Sequence, residues 1–471
     1  MQVRAESWYN PRMSEPQSKR PSRAVTVAGA VAAVPLGLFW YVLGANEYLF
    51  PSWARVIPPV LAVLIWGAIC LVAKREGHLF SWVVALLALY NAHMGLAGYL
   101  FFGFWAPLPI IAVGLGGYFA FPRRERLWRV LNLIQLILLT GAALFMAFRN
   151  YSFSDVPSRC ADELTRLPAF VHPVLGSPPH AYDFGGRPGA DVVGVAYGME
   201  KNVYLLRLSD LALRRGDRIE TGVQRVTPHP REPLLAMPAW AHWGQDETAY
   251  LVEADTGRVR QQVKVPGCRN VFEVEFARGR MYVLCEVSHT LHELADEPPY
   301  KQLRMLKLPG IDSYDLAIDA AQRFAYVSDW LCPFLKEIDL STMRVARRKW
   351  IGPVSFGVAF GPDGLLYVAQ PLSRRVRVID ARRMEIVRTI RAGYGPRDLA
   401  FDPRRRVLFI GNYFDGTLDI VRLADGQRLR RFFVGDLLRG LWLDESRDRL
   451  LAAVGCGVRV IDLPAVFAPA S

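Results

Sequence analysis

From residue 179 to the C-terminus, apolar and polar residues alternate in short runs, and turn-forming clusters of Gly, Asp, Asn and Pro close each run. A period of two is that of a β-strand with distinct faces. Residues 401–426, FDPRRRVLFIGNYFDGTLDIVRLADG, show the unit. Strand a (DLAF) ends there, followed by a turn (DPRR), strand b (VLFIGN), a loop (YFDG), strand c (TLDIVRL) and a turn (ADGQ) leading to strand d (RLRRFFV). Similar units are SFGVAFGPDGLLYVAQPLSRRVRVIDARRMEIVRTI, SYDLAIDAAQRFAYVSDWLCPFLKEIDLSTMRVARRKWI and RGLWLDESRDRLLAAVGCGVRVIDL; three more divergent ones begin at AYDF, QRVT and VFEVEF. Strand a of the seven copies ends at Phe184, Pro228, Phe276, Ile318, Phe360, Phe401 and Leu443, at spacings of 44, 48, 42, 42, 41 and 42.

A period of about 40–45 residues with four strands per unit predicts a β-propeller. Seven copies predict seven blades, each stabilised by stacking on its neighbours. The last copy ends at IDLPAVFAPAS without a strand d. An open ring leaves strand edges exposed, so the segment Phe170–Gly176 (FVHPVLG) is expected to supply the missing strand.

Residues 24–148 follow another pattern, in long apolar runs. A hydrocarbon core of ~30 Å takes about 20 apolar residues per helix. Five segments fit: Ala24–Ala45, Val56–Ala73, Leu79–Leu100, Phe102–Phe121 and Leu127–Phe148. The expected fold class is therefore an α-helical membrane bundle of five transmembrane helices followed by an all-β seven-bladed propeller. The expected domains are a basic cytoplasmic segment 1–23, the transmembrane domain 24–148, a linker with the ring-closing strand 149–178, and the propeller 179–471. Asn91, His93, Asn132 and Gln135 within the spans read as interhelical hydrogen-bonding groups.

The net charge of +13 bears on location. Residues 1–150 carry 13 Lys+Arg against 5 Asp+Glu. With five helices, 11 of those 13 cations fall on one side, which the positive-inside rule makes cytoplasmic. The propeller is then extracytoplasmic, expected in the periplasm of a bacterial inner-membrane protein. Because so much of the excess charge flanks apolar runs, nucleic acid is not expected as a partner.

The repeats GPDGLLYVAQ…RVRVID and FDPRRRVLFIGN…GTLDIV resemble the YVTN-type propellers, close to the NHL and surface-layer repeat families, over about 300 residues. The YVTN tetrapeptide itself is replaced by YVAQ, FIGN and YVSD. The resemblance implies a ligand- or partner-binding scaffold, with an enzyme as the less common case. The membrane half resembles no family.

In a propeller of this kind the b–c loops and d–a segments gather round one mouth of the central channel. The b–c loops offer Trp240, His242, Trp243 and Asp246, then His289, then Asp329 and Trp330, then Asn412, Tyr413 and Asp415. The d–a segments add Arg269, Asn270, Tyr314, Phe356, Arg397 and Arg439. Aromatic rings beside carboxylates and Arg at a concave mouth suit a protein, peptide or cell-envelope glycan. Some of these side chains equally suit the capping of strand ends. A lactonase-like metal site would draw on Asp329, Asn412 and Asp415, but no spacing requires it. The DTG of EADTGRV resembles part of a quinoprotein repeat without its following Trp. GxSxG, P-loop and CxxC motifs are absent from the sequence, and no cofactor or metal is expected. The main reading is a membrane-anchored extracytoplasmic binding scaffold. The alternatives are a lactonase- or quinoprotein-like enzyme, and a transport or assembly module with a sensing propeller. Cys160 and Cys456 would staple the ring closure if they pair in an oxidising space.

Overall fold

Strand b of the unit around residue 410 is buried at all six positions, Val407–Asn412, whereas strand d, Arg428–Phe433, is buried at none. Burial thus falls from the inside of each sheet to its rim, as it must when sheets stack face to face around an axis. The computed structural model describes residues 156–240, 247–310, 313–330, 332–352 and 354–468. These form seven antiparallel sheets in chain order. Blade 1 comprises Ala181–Gly185, Val192–Tyr197, Asn202–Arg207 and Ala212–Arg218. Blade 3 begins at Val271, blade 4 at Ser313, blade 5 at Val358 and blade 6 at Pro396, each with four consecutive strands. In blade 2 the inner strand is split into Gly222–Val223 and Thr227–Pro228, both paired with Leu234–Trp240. The interruption spans Gln224, Arg225 and Val226.

Blade 7 has three strands from the C-terminal end of the chain, Gly440–Asp444, Arg449–Val454 and Gly457–Asp462. Its fourth strand is Val171–Pro173, antiparallel to the third with Val171 opposite Ile461. The Asp462 N–H donates to the Phe170 carbonyl at 3.0 Å, and the Val174 N–H to that of Val458 at 3.0 Å. The two ends of the propeller sequence thereby share one sheet.

The hydrophobic cores lie between blades. Leu234, Leu251 and Val263 of blade 2 pack with Val274, Met281 and Val283 of blade 3. Phe409 and Ile420 of blade 6 pack with Leu450 and Ile461 of blade 7. Val193 and Leu206 of blade 1 pack with Leu451 and Val460 of blade 7. Polar ties flank these cores. Near the axis, the carboxylates of Asp183, Asp315 and Asp398 accept the backbone N–H groups of Val226, Val358 and Leu441 in the following blade, at 3.2, 2.8 and 2.6 Å. At the rim, an Arg of strand d reaches a turn of the following blade: Arg214 donates to the Asp255 carbonyl, Arg304 to Leu340, Arg347 to Arg382 and Arg388 to Leu423. Where blade 5 has Gly357 in place of the Asp, its own N–H donates to the Arg397 carbonyl at 2.9 Å. A Cβ there would lie 2.4 Å from that oxygen, so only glycine permits the approach.

Helix α1, Val156–Thr165, precedes the closing strand. Cys160 is disulfide-bonded to Cys456 across 296 residues. Glu163 accepts from Arg459 Nη2 at 2.5 Å and from the Asp436 N–H at 3.0 Å. Both charged groups are 2 % exposed or less. Burial raises the Glu163 carboxyl above its ordinary value against the pull of Arg459. A buried pair of this kind is costly to break from one side only.

The expectation of five transmembrane helices is corrected. Among the described residues the helices are α1 and α2 (Leu463–Phe467), of ten and five residues. Neither is long and apolar enough to cross a membrane. Ten residues rise about 15 Å, half of a hydrocarbon core. The segments 24–148, on which those helices were placed, lie outside the described residues.

Replacing Cys160 and Cys456 together by Ser should lower unfolding free energy by about 2–5 kcal/mol in a denaturant titration. The difference from wild type should vanish in dithiothreitol.

Candidate functional site: the mouth of the central channel

Four inner strands carry the same irregularity at the same place. In blade 1 the pairing skips from Ala181 to Asp183, in blade 3 from Val271 to Glu273, in blade 4 from Ser313 to Asp315, and in blade 6 from Pro396 to Asp398. The skipped residues are Tyr182, Phe272, Tyr314 and Arg397. Such a bulge re-aims side chains at the end of a strand. Here it turns one residue toward the mouth and brings the carboxylate after it toward the lumen.

The mouth layer is aromatic. Phe272 and Tyr314 lie 4.9 Å apart, Tyr314 and Phe356 4.6 Å, and Phe356 stacks on Trp330 at 5.9 Å. Tyr182 lies 6.3 Å from Trp240. The Arg397 guanidinium stands among four rings, 4.9 Å from Tyr413, 5.5 Å from Phe356, 5.7 Å from Tyr314 and 5.9 Å from Tyr182. Those rings belong to blades 6, 5, 4 and 1, so the cation sits over the channel axis. Arg439, 1 % exposed, lies deeper, 4.4 Å from the Tyr182 ring and 5.6 Å from that of Tyr413. Among the described residues Arg397 has cation–π contacts but no carboxylate partner. Each such contact contributes about 0.5–2 kcal/mol and leaves the in-plane N–H donors unspent.

Below lies a charged layer. Arg225, in the gap of blade 2, reaches Glu273 at 3.0 Å and Asp315 at 3.7 Å. Asp183, Asp398 and Glu275 complete the set. Burial opposes the charge on Arg225, but Asp315, Glu273 and Asp183 outweigh it and hold the guanidinium above its ordinary value. The carboxylates are not neutralised in return. Burial pushes Asp183 up to about 7, Glu275 to about 8 and Asp398 to about 6. Glu273 and Asp315 are raised for the same reason, against Arg225. One cation cannot balance five carboxylates in a narrow lumen, so several keep their protons near neutrality.

The structure thus brings together Trp240, Tyr314, Trp330, Phe356, Arg397, Tyr413 and Arg439 of the expected site. It assigns others to the scaffold. Asp329 is fully buried and ion-paired with buried Lys336. Asn412 donates to Thr417 and to Asp419, each at 3.1 Å. Asp415 accepts from the Tyr394 N–H at 2.9 Å and the Thr417 hydroxyl at 2.7 Å, fastening its loop. Asp329, Asn412 and Asp415 therefore serve their own blades and form no shared ligand set. Asn270 holds a left-handed conformation and donates to Glu286, and Arg269 is exposed. His242, Trp243 and Asp246 lie outside the described residues. His289 is held below its ordinary value, to about 4, by burial and by Lys307 and Lys336. Among the described residues one trio has metal-ligand spacing, Cys268, Cys285 and His292, and its two sulfurs are joined in a disulfide.

The sequence reading missed Tyr182, Arg225, Phe272 and the lumen carboxylates. A signal was present: YDF, FEV, YDL and RDL recur where strand a begins, each an aromatic or Arg followed by an acid.

No family model matches the chain, and no curated protein matches it. Among solved structures the chain is similar to hydrazine synthase of Kuenenia stuttgartiensis, at 14 % identity with a TM-score of 0.54, over 60 % of this chain and 96 % of that one. A chain of the mitotic checkpoint complex matches with the same identity and TM-score, over 63 % of this chain and 91 % of that one. At this identity the likeness concerns the β-propeller fold alone.

The lumen makes stability pH-dependent with a definite sign. A carboxyl whose folded pKa is raised stabilises the fold below its unfolded pKa, near 4, and that contribution is lost as pH rises through the folded value. For Glu275, Asp183 and Asp398 the loss falls between about pH 4 and pH 8. Glu275→Gln should raise unfolding free energy at pH 8 by on the order of 1–3 kcal/mol and change it little at pH 4, as measured by denaturation at both pH values.

Proposed function

We propose that this chain is a binding module of an extracytoplasmic compartment, and that its β-propeller uses the channel mouth to hold an acidic group of a protein, peptide or cell-envelope glycan. The observation that carries this reading is Arg397, set among four rings on the channel axis with no carboxylate partner among the described residues. A guanidinium recognises a carboxylate through two parallel N–H donors. Aromatic walls bury the apolar part of the ligand beside it. Below the mouth, Arg225 is already engaged by Glu273 and Asp315, so Arg397 is the cation left to meet an anionic group.

Two disulfides, Cys160–Cys456 and Cys268–Cys285, support an oxidising location such as the periplasm. The long apolar, cation-flanked sequence of residues 24–148 supports attachment to a lipid bilayer. The likeness of the repeats to YVTN- and NHL-type propellers, mostly scaffolds, supports binding over catalysis.

Arg397→Gln should weaken binding of a carboxylate-bearing ligand by at least about tenfold, the loss expected for one charge-assisted hydrogen-bonded pair. The check is titration of wild type and variant with the same acidic peptide or uronic-acid oligosaccharide. Equal affinities would show that the mouth is not the site. Location is tested separately by alkylating thiols in intact cells before lysis: Cys160 and Cys456 should be protected until reductant is added.

A further inference from the structure

The charge of the propeller sequence is concentrated. Residues 344–431, from the outer strand of blade 4 to that of blade 6, hold 19 Lys+Arg against 8 Asp+Glu. The rest of residues 151–471 holds 25 against 31. Part of the excess is structural, since Arg347 and Arg388 bridge to the next blade. A second group is not. Arg344, Arg348, Arg375, Arg382 and Arg391 are exposed, lie on blades 4 and 5, and have no carboxylate partner among the described residues.

Two of these cations face each other. Arg375 in the third strand of blade 5 pairs directly with Arg391 in the fourth. Like charges directly opposite across a strand pair destabilise it. Their neighbour Arg377 is held below its ordinary value by burial and by the charge of Arg375. The fold alone gains nothing from this crowding, whereas a bound polyanion would relieve it. Trp350, 59 % exposed, ends the outer strand of blade 4 opposite Phe334, the place that Arg391 takes opposite Arg375 in blade 5. Val387, 52 % exposed, lies on the same outer strand as Arg391, whereas Arg344 and Arg382 lie toward the turns at the other end of these strands. The Trp350 ring is fixed edge-on against Phe334 at 5.4 Å, leaving a face for a ligand. A flat aromatic face among forked cations fits a sugar ring bearing carboxylates.

We infer that the outer rim of blades 4 and 5 is a docking surface for a linear acidic polysaccharide. The surface is the convex rim of a ring of sheets, so a flexible chain can follow it from blade to blade, while a planar bilayer meets a convex rim along a narrow line. The choice of polysaccharide over nucleic acid rests on the oxidising compartment proposed above. The site itself is separate from the channel mouth and does not depend on Arg397.

The test uses the full chain and polygalacturonate as probe, with single-stranded DNA and anionic phosphatidylglycerol vesicles as parallel arms. Wild type is expected to bind polygalacturonate with affinity that falls steeply with salt, as counterion release requires. Arg375→Glu combined with Arg391→Glu should lose at least tenfold in affinity. Trp350→Ala should lose severalfold without changing the salt slope. Arg375→Gln should keep the fold, since it removes the opposed pair, and should raise Tm in the absence of polymer; added polymer should raise Tm of wild type more than that of this variant. Undiminished binding by all three variants would overturn the proposal, as would absence of binding. Tighter binding of DNA than of polyuronate at equal charge, or binding to vesicles alone, would overturn the choice of partner. The Arg397→Gln protein should bind polygalacturonate at the rim as wild type does, which separates failure here from failure of the mouth reading.

Discussion

The structure rests on one constraint: a four-stranded sheet with two apolar faces cannot be stable until both are covered. Strand b of blade 6 is buried along its whole length only because blades 5 and 7 stand on either side of it. Each core cluster joins residues of two blades, as Val274 and Leu251 do. Stability is therefore a property of interfaces, and the ring has value only when complete. This explains why blade 7 is assembled from both ends of the propeller sequence, and why the buried Glu163–Arg459 pair and the Cys160–Cys456 bond sit beside that junction. A gap there would expose two blade faces and a strand edge together.

Apolar stacking sets no register between blades. Polar ties do. Asp183, Asp315 and Asp398 fix the inner ends of three interfaces through one backbone N–H each, and arginines fix the rims. A carboxylate placed for this purpose must lie at the axis, where seven inner strands converge. The crowded lumen and its raised pKa values follow from that placement. The bulge before each carboxylate then sends an aromatic or Arg toward the mouth. The candidate site is thus a by-product of how the blades are held in register, elaborated by the rings round Arg397.

Among the described residues arginine serves several distinct ends, and Arg459 closes the ring with Glu163. At the rim, Arg304 and Arg347 satisfy carbonyls of the next blade. At the axis, Arg225 limits repulsion among carboxylates. At the mouth and on blades 4 and 5, guanidinium groups are left facing solvent or rings. Composition counts all of them alike, so net charge alone pointed to the flanks of the apolar runs and missed the contrast between blades 4–6 and the rest of the propeller.

The sequence by itself determined the propeller, because strand period and repeat length are local properties that survive divergence. The spacing of Phe360, Phe401 and Leu443 counted blades without any knowledge of contacts. It also marked Arg397, Tyr413 and Tyr314 as mouth residues, since position within a repeat fixes position round the ring. Only the tertiary structure decided which polar residues serve the scaffold. Asn412 and Asp415 look like ligands in sequence and are loop fasteners in space: Asp415 caps its own turn at Thr417, while Tyr394 and Asp419 come close to Asp415 and Asn412 only once the strands pair. Arg225 shows the converse: an unremarkable residue in a broken strand becomes the cation of the lumen, since carboxylates from four blades meet there. Convergence of residues more than a hundred positions apart is a product of ring closure, and no local pattern encodes it.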